Sequence, residues 1–311
     1  MKFLFIIDSI QSFNIETDST FVLMLESQKR GYPIYYSYIS DLGIQGKDAF
    51  SFAHKVKVQK TKDFYEVLEG KKMLLKDFDA IFMRKDPPVD HHYIYATYVL
   101  ELVSKDVFMI NHPSSLRKFN EKLSIHYFPD LIPPTLVTSS LEEIHRFKKE
   151  VGGEVILKPV YGHGGRGVFY SGKEDINLKS LYEMLTFQGR ESIIVQKFLP
   201  ESRQGDKRIV LCNGEPLGAI LRVPQKEDIR ANLHVGGRCM KTQLNSRDLE
   251  ICQKLSPFLK SNGLYFVGID VIGGYLIEVN ITSPTCLQEL NRMNGITSEK
   301  NFIDFVESQT T

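Results

Sequence analysis

The chain has 311 residues, 42% hydrophobic and 25% charged, enough for two or three domains with cores of their own. Lys and Arg total 39 against 38 for Asp and Glu, a net charge of +1, which removes any electrostatic case for nucleic acid or an anionic membrane surface. The four cysteines, Cys212, Cys239, Cys252 and Cys286, form no C-x-x-C pair and have no histidine at metal-ligand spacing, so they are expected to be reduced thiols of a cytoplasmic protein.

Residues 2–7 form a short apolar run closed by Asp8, too short for a signal peptide, and read as a buried strand. Residues 19–30 carry helical spacing (Phe21, Leu23, Met24, Leu25) and stop at Gly31. Residues 32–38 read as a second strand, so the chain opens with a βαβ unit and a parallel sheet. Strands at 79–84 and 107–111 flank a helix at about 93–104, and residues 1–120 are expected to form one doubly wound α/β domain. Its first loop, Asp8-Ser9-Ile10-Gln11-Ser12-Phe13, contains no glycine, which excludes a dinucleotide fingerprint; the domain is expected to shape a substrate wall. Residues 118–123 are expected on a helix. Prolines interrupt 129–134, a strand resumes at 135–138, and Ser140 with Glu143 forms a capping box for the next helix. A strand at 155–159 feeds a glycine-rich loop and another strand at 167–170, an antiparallel lobe with helices of its own. The last third alternates strands and polar loops and finishes in a helix near 302–307. No apolar stretch is long enough to span a membrane.

Two constellations carry chemistry. In Lys158-Pro159-Val160-Tyr161-Gly162-His163-Gly164-Gly165-Arg166-Gly167 the glycines let backbone N–H groups converge on one point, where they can cradle phosphate oxygens. The loop lacks the G-K-[ST] ending of a Walker A motif. A flexible hairpin loop is the other reading, and Lys158, held beside the loop by Pro159, favours phosphate. The second constellation is Asp270, Glu278 and Asn280. Glu278 and Asn280 are two apart on a strand and share a face. The apolar pattern requires Asp270 opposite Glu278, which predicts an odd-length loop or a bulge at Gly273-Gly274. Oxygen donors alone, with no compensating Lys or Arg in the triplet, suit Mg²⁺; a solvated hairpin face is the alternative. The run of residues 193–200 ends at a proline and forms a plausible hinge whose backbone could pair an adenine edge. Asp206 and Arg208 open a further strand, where Arg208 could clamp a phosphate or belong to a surface charge cluster.

Taken in this order, the residues resemble an ATP-grasp fold and, more narrowly, the bacterial, prokaryotic-type glutathione synthetase family along nearly the whole chain. The segments that carry the likeness are Met83-Arg84-Lys85-Asp86-Pro87-Pro88, Ile94-Tyr95-Ala96-Thr97-Tyr98, Asn120-Glu121-Lys122-Leu123, Gly205-Asp206-Lys207-Arg208 and the run from Glu278 through Ser283, Pro284 and Thr285 to Cys286. The resemblance implies an N-terminal domain over 1–120, an ATP-grasp small lobe over 121–200 and a C-terminal lobe over 201–311. It implies that Lys122 and Lys158 contact ATP phosphates, that Gly162, Gly164, Gly165 and Gly167 close over them, and that Gln196, Lys197, Phe198 and Leu199 hold the adenine. Asp206 and Arg208 would border the same nucleotide, with Arg208 and Lys158 catalytic. Asp270, Glu278 and Asn280 would hold two Mg²⁺ ions, with Mn²⁺ as a substitute. Residues 223–237 resemble a lid over the site, with Arg222, Arg230 and Asn232 near substrate; Lys226, Glu227 and Ala231 stand where glycines are expected, which would stiffen it. Ser283 and Thr285 belong to a tightly turned site loop, and Asp8, Ser12, Asn14 and Arg84 are candidates for a dipeptide pocket or, equally, for structural roles. The implied partners are γ-glutamylcysteine and glycine, joined through an acyl phosphate, and further copies of the chain in a homotetramer. Cys286 has no base beside it in sequence and reads as a packed thiol. The rivals are another ATP-grasp amino-acid ligase, separable by substrate competition, and a silent ATP-binding module, separable by phosphate release.

Overall fold

The computed structural model describes residues 1–226, 228–233 and 236–310. Strand β1 (Phe3–Ile6) is buried on both faces, as a central parallel strand must be. Helix α1 (Ser19–Lys29) follows, its first turn held by Asp18, whose carboxylate accepts from Phe21 N at 2.9 Å. Strand β2 (Ile34–Ser37) returns parallel to β1. The chain then adds an antiparallel extension: β3 (Leu42–Gln45), β4 (Asp48–Val58) and β5 (Tyr65–Leu74). Strand β6 (Ala80–Met83) goes back to the other side of β1. Helix α2 (His91–Glu101), capped by Asp90, leads to β7 (Phe108–Ile110) and the short α3 (Pro113–Lys118). The sheet order is β3-β4-β2-β1-β6-β7, with β5 on β4. The parallel centre matches the expectation, while the long β4–β5 hairpin was not anticipated.

Residues 118–123 do not form the helix expected there. Helix α3 ends at Lys118, and the Asn120 side chain accepts from Lys122 N at 3.0 Å and Leu123 N at 3.1 Å. This local turn takes the N–H groups that a helix would need.

The second sheet is wholly antiparallel. It contains β8 (Thr135–Thr138), β9 (Val155–Pro159), β10 (Phe169–Ser171) and β11 (Ile193–Lys197) in the order β10-β9-β11-β8. Helices α4 (Leu141–Glu150) and α5 (Leu178–Leu185) cover one face, and Ser140 caps α4 by accepting from Glu143 N. Ile144, Val155, Leu157, Leu178, Ile193 and Val195 give this lobe a separate core.

The third sheet runs β14-β13-β12-β15-β16, from β12 (Asp206–Cys212), β13 (Glu215–Val223), β14 (Arg238–Lys241), β15 (Phe266–Ile272) and β16 (Tyr275–Asn280). Helix α6 (Ser246–Ser261) crosses between β14 and β15, and α7 (Leu287–Asn294) and α8 (Ser298–Thr310) end the chain. Sequence reading had put only the last of these three helices in place. One face of this sheet shares a core with the first: Ile81 and Tyr93 belong to the same cluster as Val267 and Ile269. A second cluster joins β1 to α1, α7 and α8 through Phe5, Phe21, Leu287 and Phe302.

The β15–β16 hairpin has the predicted register, with Asp270 opposite Glu278. The turn itself is a tight one, Ile272 facing Tyr275 across Gly273-Gly274, both at positive φ. The extra residue lies further along β16: Val271 pairs with Leu276, so Ile277 bulges and the faces come back into step.

Candidate active site

Between the second and third sheets lies a cavity of ≈ 130 Å³. Ile156 and Val168 wall it on one side, Ile272 and Ile277 on the other, a flat apolar slot of the kind a purine ring fills. The end of the interior strand β11 and the residues after it, Gln196 through Lys197 and Phe198 to Leu199, run along it. At its mouth are Lys122, Lys158 and the loop residues Gly162, Gly164 and Gly165; Gly167 sits behind them against Pro159. Lys158 is buried on β9, with Nζ donating to Gln196 Oε1 at 3.3 Å. Burial, outweighing the pull of Glu278, brings its pKa down to about 8. Lys122 Nζ bonds the Gly162 carbonyl and lies 3.1 Å from Glu278 Oε1. Two ammonium groups thus meet the glycine-rich loop at one cavity, an arrangement suited to a polyphosphate.

The acidic face is more strongly compensated than its sequence implied. Asp270 receives Arg208 through two bonds, 2.6 and 3.0 Å, and Arg222 Nη2 lies 2.8 Å from its Oδ1. Burial alone would raise the Asp270 pKa, but the two guanidiniums hold it below the usual carboxylate range. The cations absent from the triplet come from the neighbouring strands β12 and β13. Asn280 Nδ2 faces Asp270 Oδ2 at 3.3 Å, and Glu278 stands by the lysines. Among the described residues no three His, Cys, Asp or Glu side chains cluster as a self-sufficient metal cage. Two carboxylates and an amide on one hairpin face are nevertheless hard oxygen donors. The set therefore fits Mg²⁺ that arrives with a nucleotide, whose phosphates supply the remaining ligands and the charge to satisfy both lysines.

A second, larger cavity of ≈ 740 Å³ opens beside the first, and Glu278, His163, Gly164, Arg166 and Asn232 line both. Its far wall comes from the N-terminal domain: Asp8, Ser12, Asn14, Asp18 and Arg84. Arg222, Asn280, Ser283, Thr285 and Cys286 line the near side. Arg208, expected at the nucleotide, lines this second cavity, whereas Asp206 lines the first and ties back Arg222 Nε. Arg84 is fully buried, bonding Thr20 Oγ1 at 3.0 Å and the Pro284 carbonyl at 2.8 Å, while its Nη1 finds no partner among the described residues. Arg84 lines the second cavity, and a buried guanidinium with an unpaired nitrogen beside it suits a substrate carboxylate. Cys286 is buried beside Arg208 and Arg222, and burial raises its thiol pKa, so it is not an activated nucleophile. The covering segment packs on the glycine loop: Arg230 Nη1 bonds the Gly165 carbonyl at 3.3 Å, and Asp228 pairs with Arg230 at 2.7 Å. Lys226 is exposed and Ala231 lines the first cavity; Glu227 lies outside the described residues.

Family models describe both halves of this arrangement. The N-terminal domain of prokaryotic glutathione synthetase matches residues 1–117, and the ATP-grasp domain of prokaryotic glutathione synthetase matches residues 121–295. The chain belongs to the prokaryotic glutathione synthetase family. Glutathione synthetase of Synechococcus elongatus is 44% identical over 307 residues, covering 95% of each chain. That of Agrobacterium fabrum is 41% identical over 303 residues, covering 97% of this chain and 95% of its own. That of Buchnera aphidicola is 41% identical over 312 residues, covering 99% and 97%. Among solved structures, D-cycloserine synthetase DcsG superposes with a TM-score of 0.68 at 13% identity, covering 99% of this chain and all of its own. The ATP-grasp ligase PsnB, complexed with minimal precursor, Mg and ADP, gives 0.66 at 14% identity over 99% and 97%. At such identities the likeness is one of fold, and the fold is ATP-grasp.

Sequence reasoning overlooked Asp18, Glu121 and Glu289, all of which line the second cavity. Asp18 reads locally as a helix cap and Glu289 as an ordinary helical position. Only the folded chain turns them toward a common space. His163 and Arg166 lay in plain view inside the glycine loop, but attention went to the glycines.

Proposed function

We propose that this chain joins γ-glutamylcysteine to glycine at the expense of ATP, giving glutathione, ADP and phosphate. The observation that carries the reading is the junction of the two cavities at Glu278: a nucleotide slot with converging lysines opens directly into a polar chamber lined by Arg84, Arg208 and Arg222. Membership of the glutathione synthetase family supports the choice of substrates.

Lys122, Lys158 and the glycine loop grip the phosphates, and the segment from Gln196 to Leu199 holds the base. Asp270, Glu278 and Asn280 hold Mg²⁺, two ions in our reading; the metal offsets phosphate charge. The arginines of the chamber orient the cysteinyl carboxylate toward the terminal phosphorus. One carboxylate oxygen attacks that phosphorus and ADP departs, leaving an acyl phosphate. Glycine's ammonium gives a proton to solvent; its amine then attacks the acyl carbon, phosphate leaves with the electron pair of the broken bond, and the nitrogen passes its second proton to that phosphate. The chain contributes position and charge, not a covalent nucleophile. The lid expected over residues 223–237, whose Arg230 bonds the Gly165 carbonyl, keeps water from the acyl phosphate.

In this reading residues 1–120 supply the dipeptide wall, 121–200 the cap over the nucleotide and 201–311 the metal hairpin. The setting is cytoplasmic, which the four free cysteines favour, and no helix among the described residues is long and apolar enough to cross a membrane. The assembly is a homotetramer. An apolar stripe on α2 and the residue that caps it, with Tyr95, Tyr98 and Leu102 exposed by 49%, 56% and 55%, offers surface for a partner copy.

Incubation with ATP, Mg²⁺, γ-glutamylcysteine and glycine is expected to yield glutathione and phosphate in equal amounts, each requiring all four components. Phosphate release with other amino acids but not with these would replace the substrates; none with any would reduce the chain to an ATP-binding module.

A further inference from the structure

Strand β16 carries two of the proposed metal ligands, Glu278 and Asn280, yet it is the last strand of its sheet. One edge pairs with β15; among the described residues no strand pairs with the other, and an unpaired edge is free to shift. Glu121, from another segment, bonds that edge. The main-chain carbonyl of Glu121 accepts from Val279 N at 2.9 Å. Its side-chain Oε1 accepts from Ile281 N at 2.7 Å, and from Thr282 N and Thr282 Oγ1 at 2.9 Å each. Val279 and Ile281 are the neighbours of Asn280, so the residue on each side of that ligand donates its backbone N–H to Glu121. The next residue, Lys122, reaches Glu278, the other ligand on the same strand. A half-buried carboxylate with three convergent donors is rigidly placed, and packing alone does not call for a charged group here.

We propose that Glu121 is a positioning residue for metal binding: it fixes the free edge of β16 so that Asn280 and Glu278 present their oxygens together to the nucleotide-bound cation. The inference rests on the assignment of Asp270, Glu278 and Asn280 as metal ligands. Partners that orient ligands in this way typically contribute 10- to 100-fold in metal affinity.

The test uses the full chain saturated with a non-hydrolysable ATP analogue and titrated with Mn²⁺, free Mn²⁺ being followed by electron paramagnetic resonance. Glu121→Ala is expected to weaken Mn²⁺ binding about 10- to 100-fold, while affinity for the analogue measured without metal stays within about two-fold. Glu121→Gln, which keeps an accepting carbonyl, is expected to fall between wild type and Ala and preserves the test where the Ala variant does not fold. Val99→Ala, a core truncation in α2, controls for destabilisation: it is expected to lower Tm with Mn²⁺ affinity unchanged. Equal Mn²⁺ affinity in wild type and a folded Glu121 variant would overturn the proposal and leave the ligand assignment standing. Loss of Mn²⁺ affinity in Val99→Ala to the same degree would also overturn it, as a mere stability effect. If wild type with the analogue binds no Mn²⁺, the ligand assignment itself fails.

Discussion

Lys158 shows how one buried side chain links folding, binding and pH. Its pKa falls from an ordinary 10.5 to about 8 in the folded chain, chiefly because burial penalises the charged form. Between those values the unfolded chain binds more protons than the folded one, so stability rises with pH across that window. Below pH 8 both states are protonated and the full penalty remains, on the order of 3 kcal/mol. A polyphosphate supplies the anion that the buried ammonium lacks, so its pKa rises on binding. ATP binding is therefore expected to take up about half a proton at pH 8 and almost none at pH 6.5. Calorimetric titration in buffers of different ionisation enthalpy measures this directly. Uptake unchanged in Lys158→Met would assign the proton elsewhere.

The glycine loop and the covering segment are a matched pair of elements. Gly165 has φ +79° and a side chain there would meet Asn232 Oδ1 at 2.7 Å. Gly165→Ala therefore strains the loop and pushes the cover away. A cost of about 1–2 kcal/mol would raise KM for ATP about 5- to 30-fold, with little change in Tm because the loop adds nothing to the core. Steady-state kinetics with a melting curve separates the two. Elements of this kind were legible where chemistry repeats locally. The facing of Asp270 and Glu278 followed from apolar alternation in two short runs, and Lys158 with its glycines announced itself by composition. The cations around Asp270 were not legible, because Arg208 and Arg222 reach it only through the pairing of β12 with β13 and β15. The helix misassigned to residues 118–123 failed for the opposite reason: there a side chain, Asn120, overrode backbone periodicity.

Across the whole molecule, the sheets differ in how openly they end. Strand β5 is an edge blunted by a bulge at Leu68 and by Glu66, Glu69, Lys71 and Lys72, devices that discourage pairing with another chain. On the α2 stripe Arg117 lies 4.5 Å from the Tyr98 ring, while Tyr95 and Leu102 stay exposed. Tyr95→Lys with Leu102→Lys is expected to lower the particle mass seen by sedimentation while leaving activity per chain near wild type, since neither residue lines the cavities. An undiminished mass would move the contact to another face. The parallel βαβ opening was readable from its alternation of apolar runs with a helical stretch, but the surfaces left for partners could be seen only after the core had claimed its share of aromatics.

The chain also closes on itself. Helix α8, the last 13 residues described, lies against α1 and the first sheet. Phe302 packs beside Phe82 and Phe266, and Arg30 reaches Asp304 at 2.6 Å and Glu307 at 3.0 Å. Residues nearly 300 positions away in sequence thus cover one flank of the first domain. Removing residues 298–310 is expected to open Phe82 and Phe266 to solvent. Limited proteolysis would then cut the first domain faster than it cuts the intact chain, and an equal rate would show that the flank holds without its cover.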